Sequence, residues 1–199
     1  MPWSVQILAF DDMEVLDYAG PYEVFNVAGE LTTPHAFSVA SVGVTPNPSG
    51  RGKFTIVPHF TLDNAPRADI LVLPGGRGTR ALQRDERLLE WLRVRTADVS
   101  LLLTVCTGAL LAGSAGLLAG LPATTHHGAF DELTAASPST AVVRGRRFVR
   151  SSDRIRTSAG VSAGTDLALA IVEELAGTPT RAAVETEMEW MWPDRTDAS

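Results

Sequence analysis

At 199 residues the chain is long enough to bury a sizeable core, and it is expected to form a single domain over 1–192 with a loose tail at 193–199. Its hydrophobic content of 45% and charged content of 20% are those of a globular protein and exclude a disordered, low-complexity chain. A net charge of −6 and a pI near 5.2 argue against a nucleic-acid binder, which would be basic.

The opening residues, Met1 to Phe10, lack a basic leader and run into Asp11-Asp12, which is not the pattern of a signal peptide. Within them, Val5 to Phe10 is a short apolar run that suits a central strand. Asp11, Asp12 and Glu14 read as solvated loop charges. Leu16 to Val27 has apolar residues at helical spacing, with Pro21 tolerated in a first turn. Phe37 to Val42 is a second strand. The stretch from Thr45 to Phe60, broken by Pro46, Pro48, Gly50, Gly52 and Pro58, is a loop or loose hairpin.

Ile70 to Leu73 is a buried strand stopped by Pro74-Gly75-Gly76, and Leu82 to Val94 is an amphipathic helix. Ser100 to Val105 is another buried strand, followed by a small-residue helix from Thr107 to Ala115. The charge-free run from Leu101 to Ala123 invites a membrane span, but its glycines and Pro122 favour a buried strand and helix. Val142 to Val149 and Ile155 to Thr157 read as a strand pair whose wet face carries Arg144, Arg146, Arg147, Arg150, Arg154 and Arg156. Ala163 to Leu175 and Thr180 to Met188 are closing helices.

Short apolar strands alternating with helices specify an α/β fold with a mostly parallel sheet covered on both faces. Ligands in such sheets bind beyond the carboxyl ends of the strands, which here selects the segments after Phe10, Leu73 and Val105. The single cysteine of the chain, Cys106, stands at the third of these places. One cysteine makes no internal disulfide, which fits a reducing cytoplasm. A residue between a strand and a helix is thrust out on a sharp turn, and the helix amides behind it lower the pKa of a thiol. Gly108 follows two places later as in a nucleophile elbow, but Thr104 replaces the glycine expected two places before. The alternative is an inert core thiol.

Gly75 and Gly76 form either a plain tight turn or, with the amide of Thr107, an anion pocket beside the sulfur. Asp17 is by default a helix-capping residue. His126-His127 offer a base for the cysteine or a structural imidazole. No spacing supplies a metal site, and no cofactor motif is present.

Val105-Cys-Thr-Gly108, Leu73-Pro-Gly-Gly76, Leu16-Asp-Tyr-Ala-Gly-Pro-Tyr-Glu-Val-Phe25 and Ala123-Thr-Thr-His126 together resemble the ThiJ/PfpI superfamily of class I glutamine amidotransferase-like proteins. Thr157-Ser-Ala-Gly160 and Ala163-Gly-Thr-Asp-Leu-Ala168 extend the resemblance over nearly the whole chain. It is nearest to isonitrile hydratases and to the amidotransferase-like half of AraC-type regulators. It implies a flavodoxin-like doubly wound fold, a homodimer, Cys106 as nucleophile, Asp17 as its acidic partner and Thr107 beside them. It also implies a cytoplasmic enzyme on a small molecule, with a thiol-dependent enzyme on small carbonyl compounds or a redox or ligand sensor as alternatives.

Four departures accompany it. No histidine follows His127, so the downstream His-x-Glu of glutamine amidotransferases is missing. Ser158-Ala159 stands where hydratases are richer in glycine, and His127 where an aromatic is common. No helix-turn-helix extension follows, so a complete AraC-type regulator is not expected.

Overall fold

The computed structural model describes residues 1–191. The tail expected at 193–199 lies outside them. In chain order the elements are β1 (Trp3–Ala9), α1 (Val15–Glu30), β2 (Phe37–Gly43), the hairpin strands β3 (Ser49–Gly50) and β4 (Phe54–Thr55), and β5 (Phe60–Thr61). Next come β6 (Ile70–Leu73), α2 (Thr79–Leu82), α3 (Glu86–Asp98), β7 (Leu101–Val105) and α4 (Gly108–Ser114). The remainder is β8 (Pro122–Ala123), α5 (Phe130–Ala136), β9 (Ala141–Val142), β10 (Phe148–Arg150), β11 (Ile155–Ser158), α6 (Ala163–Ala176) and α7 (Thr178–Glu187).

Seven strands form the main sheet in the order β10-β11-β7-β6-β1-β2-β5. All pairs are parallel except β10 with β11. This is the doubly wound, flavodoxin-like α/β arrangement. The central strands β1, β6 and β7 bury nearly every side chain, as strands covered on both faces must, and so read as unbroken apolar runs. On one side α1 packs against α6 and α7, while α2, α3, α4 and α5 form the other group. No helix among the described residues is long and apolar enough to cross a membrane.

Two features position the site. The strand order reverses between β1 and β6, so chain leaves their carboxyl ends in opposite directions and a crevice opens there. With β7 next to β6, the three strand ends named by the sequence lie side by side. The seam between α1 and α6 is also unusually close. A Cβ at Gly20 would sit 2.4 Å from Oγ1 of Thr165, so only glycine admits this approach.

Several boundaries differ from expectation for identifiable reasons. Pro21 lies inside α1, beyond the first turn, because the helix begins at Val15. Lacking an N–H, it leaves the carbonyl of Asp17 without its intrahelical donor. The helix expected from Leu82 to Val94 is two helices, divided where the side chain of Asp85 accepts the Leu88 N–H at 3.1 Å and starts α3 afresh. The strand expected over 142–149 is interrupted, leaving Ala141–Val142 and Phe148–Arg150.

The arginine cluster is only partly a wet face. Arg156 is buried and pairs with Glu174 at 3.2 Å. Arg154 donates to the carbonyls of Thr96 and Ala97 at 2.8 and 3.0 Å, closing the end of α3. Arg147 binds the buried Asp166 in the first turn of α6, whose Oδ1 also accepts the indole N–H of Trp190 at 3.0 Å. A guanidinium offers five donors, so a partly buried arginine becomes a brace rather than a solvated charge.

Candidate functional site

Cys106 occupies the single residue between β7 and the Thr107 cap of α4, with φ of 56°. A non-glycine residue reaches that left-handed region only when its surroundings over-determine it, and here they do. Its N–H donates to the carbonyls of Ser158 and Ala159 at 3.1 Å each. Its carbonyl accepts the hydroxyl of Thr125 at 2.8 Å. The sharp turn throws the side chain across the strand ends toward α1.

Asp17 comes to meet it from the first turn of α1. It is fully buried, and its Oδ2 accepts the Gly75 N–H at 3.0 Å. Oδ1 is buried without a regular hydrogen bond. The carboxyl interacts with the Cys106 thiol and the Val161 N–H, and the sulfur also receives the N–H groups of Thr107 and Val161. Val161 too has a positive φ, 53°, an uncommon conformation for a β-branched side chain. Of these two positive-φ residues, Val161 aims its backbone N–H at both the sulfur and the carboxyl.

Burial dominates the electrostatics. It raises the Asp17 carboxyl from 3.8 to about 7, with the charge of Glu14 adding to the rise. It pushes the Cys106 thiol up to about 12, with the negative charge of Asp17 as the next cause. The expected solvent-facing, low-pKa thiolate is therefore corrected. Only 5% of the residue is exposed, and α4 is a seven-residue helix whose amides do not offset the loss of water. Sulfur and carboxyl instead titrate as a coupled pair that holds a single proton between them above about pH 7.

The glycine turn is also built differently from expectation. The Gly75 N–H is spent on Asp17, and the Gly76 N–H donates to Oγ1 of Thr107 at 2.9 Å. Thr107 returns its own hydroxyl proton to the Gly76 carbonyl at 3.1 Å. These two amides hold the acid and the cap in place and do not make an anion pocket. A Cβ at Gly75 would lie 2.5 Å from the Thr107 nitrogen and 2.8 Å from Oδ2 of Asp17. Gly75→Ala is expected to displace the carboxyl from the sulfur. It should lower the rate of any reaction at Cys106 by about 10²-fold, the scale of catalytic loss for a misplaced group, with the folded chain retained by circular dichroism.

His126 lines the opening above the sulfur, and His127 lies against it with the rings tilted 33° and their centroids 4.3 Å apart. Nδ1 of His126 accepts the Gly128 N–H at 3.1 Å, which assigns the hydrogen of the neutral ring to Nε2. Burial, His127 and Arg80 all lower its pKa. With Nδ1 engaged by the backbone, Nε2–H is left as a hydrogen-bond donor at the wall. All six residues singled out from the sequence meet here: Asp17, Gly75, Gly76, Cys106, Thr107 and His126.

Sequence reasoning missed the rest of the wall. The cleft over Cys106 and Thr107 has a volume of about 190 Å³ and is also lined by Glu14, Arg51, Arg77, Arg80 and Val161. Glu14 is no solvated loop charge, since it is half-buried, pairs with Arg51 at 2.8 Å and faces the site. Arg80 is held bidentately by Glu132 at 2.7 and 2.8 Å and donates to the Gly76 carbonyl at 3.1 Å. Its position one turn after the glycines was a signal available in the sequence. Val161 carried none, because only its backbone acts.

The DJ-1/PfpI family matches residues 3–174. The chain is 32% identical over 190 residues to an isonitrile hydratase of Pseudomonas putida, covering 96% of this chain and 79% of that one. A ThiJ/PfpI family protein from Pseudomonas syringae superposes with a TM-score of 0.86 at 28% identity, covering 100% of this chain and 79% of the other. An AraC family transcriptional regulator from Pseudomonas putida shares the fold, with a TM-score of 0.78 at 20% identity over 94% of this chain and 100% of the regulator's. Through a strand-end cysteine, a buried acid and a match over most of its length, the chain belongs to the DJ-1/PfpI family.

Proposed function

We propose that the protein hydrates a small isonitrile to an N-formamide, with Cys106 as nucleophile and Asp17 as the group that carries the proton. The observation that carries this reading is the buried sulfur–carboxyl pair, with both members raised by loss of water and one proton between them above about pH 7. An isonitrile carbon must gain both a nucleophile and a proton. A thiol that hands its proton to the carboxylate beside it supplies each from a neighbouring atom.

In the first step sulfur bonds to the terminal carbon and the shared proton passes through Asp17 to that same carbon, giving a thioimidate. Water then adds across the carbon–nitrogen double bond. Asp17, now a carboxylate, takes one proton from the water and passes it to the nitrogen, which His126 Nε2–H steadies. When the sulfur is expelled the hydroxyl proton returns to the pair, releasing the formamide with both groups as they began. The amides of Thr107 and Val161 stabilise negative charge on sulfur at both ends of the cycle.

Incubation with phenyl isocyanide, followed by chromatography, is expected to yield N-phenylformamide, with Cys106 shown to be reduced by mass spectrometry. The reacting form carries one proton on the pair, so kcat/KM should rise with pH up to about 7, where Asp17 loses its proton. It should stay level until the remaining proton leaves in the direction of 12. No formamide from the reduced protein would end this reading. Turnover of methylglyoxal in its place would assign the same pair to dicarbonyl chemistry.

A further inference from the structure

The cleft over Cys106 adjoins a second recess of about 260 Å³ lined by Asp12, Glu14, Arg51, Gly52 and Arg77. Arg77, Arg51 and Glu14 line both. Together with Arg80, three guanidinium groups therefore surround the entrance to a buried sulfur.

Two of the three are already engaged. Arg51 pairs with Glu14 at 2.8 Å, and Arg80 with Glu132 at 2.7 Å. Arg77 is exposed and has no ion-pair or hydrogen-bonded partner for its side chain among the described residues. Its place is fixed nonetheless, because it follows Gly76 directly. Gly76 is bridged to Met13 and holds Thr107 through its N–H. A cation fixed at its root, unpaired, and shared by both halves of one opening is arranged to receive a charge from outside.

We infer that Arg77 is a specificity-determining residue that pairs with a carboxylate on the substrate, so that the preferred substrates are acid-substituted. This rests on the function proposed above and narrows its substrate class. The planar guanidinium matches a carboxylate with two parallel hydrogen bonds. The volume over the sulfur limits the body between carboxylate and reacting carbon to about a single ring. The positive end also offsets the repulsion that an anion meets from Glu14 and from the charge on the sulfur–carboxyl pair.

The test compares 4-isocyanobenzoate with its neutral methyl ester. Wild-type protein is expected to favour the acid by about tenfold in kcat/KM, mainly through KM, and the preference should collapse in Arg77→Gln. Arg84→Gln, an unrelated surface arginine beside Gln83 and Glu132, should keep it. An equal rate on acid and ester in the wild type, or a preference that survives Arg77→Gln, overturns the assignment.

A second measurement requires no turnover. Alkylation of Cys106 by anionic iodoacetate relative to neutral iodoacetamide should be faster than the same ratio in the urea-unfolded chain, and Arg77→Gln should lower it. If neither isonitrile is hydrated but this ratio behaves as stated, the hydratase reading fails and the anion-selective entrance stands. If the ratio matches that of the unfolded chain, the entrance selects nothing and the inference fails on its own.

Discussion

Replacing Asp17 by asparagine is expected to raise the stability of the protein above pH 7 while removing most of its activity. The carboxyl is fully buried and its pKa is raised from 3.8 to about 7, chiefly by loss of water. A raised carboxyl pKa means that the folded chain keeps a proton the unfolded chain gives up. The stability linked to that proton is fully present below 3.8 and is lost as pH climbs through 7, reaching about 4 kcal/mol in the limit of an uncoupled group. Asparagine has no proton to lose and can still accept the Gly75 N–H. At pH 8 the variant should melt higher than wild type by about 5 °C or more, and at pH 4 the difference should be small. Activity should fall by about 10²–10⁴-fold, because the amide cannot carry a proton from sulfur to substrate. Thermal melts at the two pH values, beside the formamide assay, read both effects. A variant less stable than wild type at pH 8 would show that the carboxylate is a structural asset and not a cost.

The second large effect belongs to the sulfur. Cys106→Ala should lower kcat/KM by about 10⁴-fold or more, since both covalent steps pass through this one atom. The expected loss of stability is modest, about 1 kcal/mol, from an alanine-sized gap beside the cleft. Cys106→Ser separates the two roles of the side chain. Its hydroxyl keeps a donor for Asp17, but it is a far weaker nucleophile, so it should be as inactive as alanine in the formamide assay. Activity in the serine variant within about tenfold of wild type would mean that the reaction needs only the proton relay and not a bond to sulfur.

Much of this arrangement is legible in the amino-acid sequence, and the reason is local. Ile70–Leu73 and Leu101–Val105 are apolar strands cut off by glycine or by a helix start, and their ends alone locate Gly75 and Cys106. Asp17 is legible only by resemblance, since an acid in a first turn is an ordinary cap. The direction of the thiol's pKa is not legible. The amides of the turn are written in the sequence next to Cys106, but the burial that outweighs them comes with groups remote in the chain, Asp17 of α1 and the turn at Val161 among them. The same distance hides Val161. The arginines are misjudged because periodicity reports which face a residue occupies, not which carbonyls it finds there. Arg154 reaches the end of α3 and Arg156 reaches Glu174, partners 58 and 18 residues away. The broken helix at Asp85 is the converse case, a capping signal overlooked beneath a strong apolar stripe.

The contact of Gly20 with Thr165 has a bearing on all of this. It lies on the side of α1 turned away from solvent, in the same helix as Asp17, and Thr165 belongs to the helix that follows Val161. The gap between acid and sulfur is thus gauged from the rear, by how deeply one helix seats upon another. A single added methyl there would act as a shim, lifting the acid and tilting the amide together while every reacting group kept its identity. Variation along that hidden joint would retune the chemistry with no alteration to the residues that perform it.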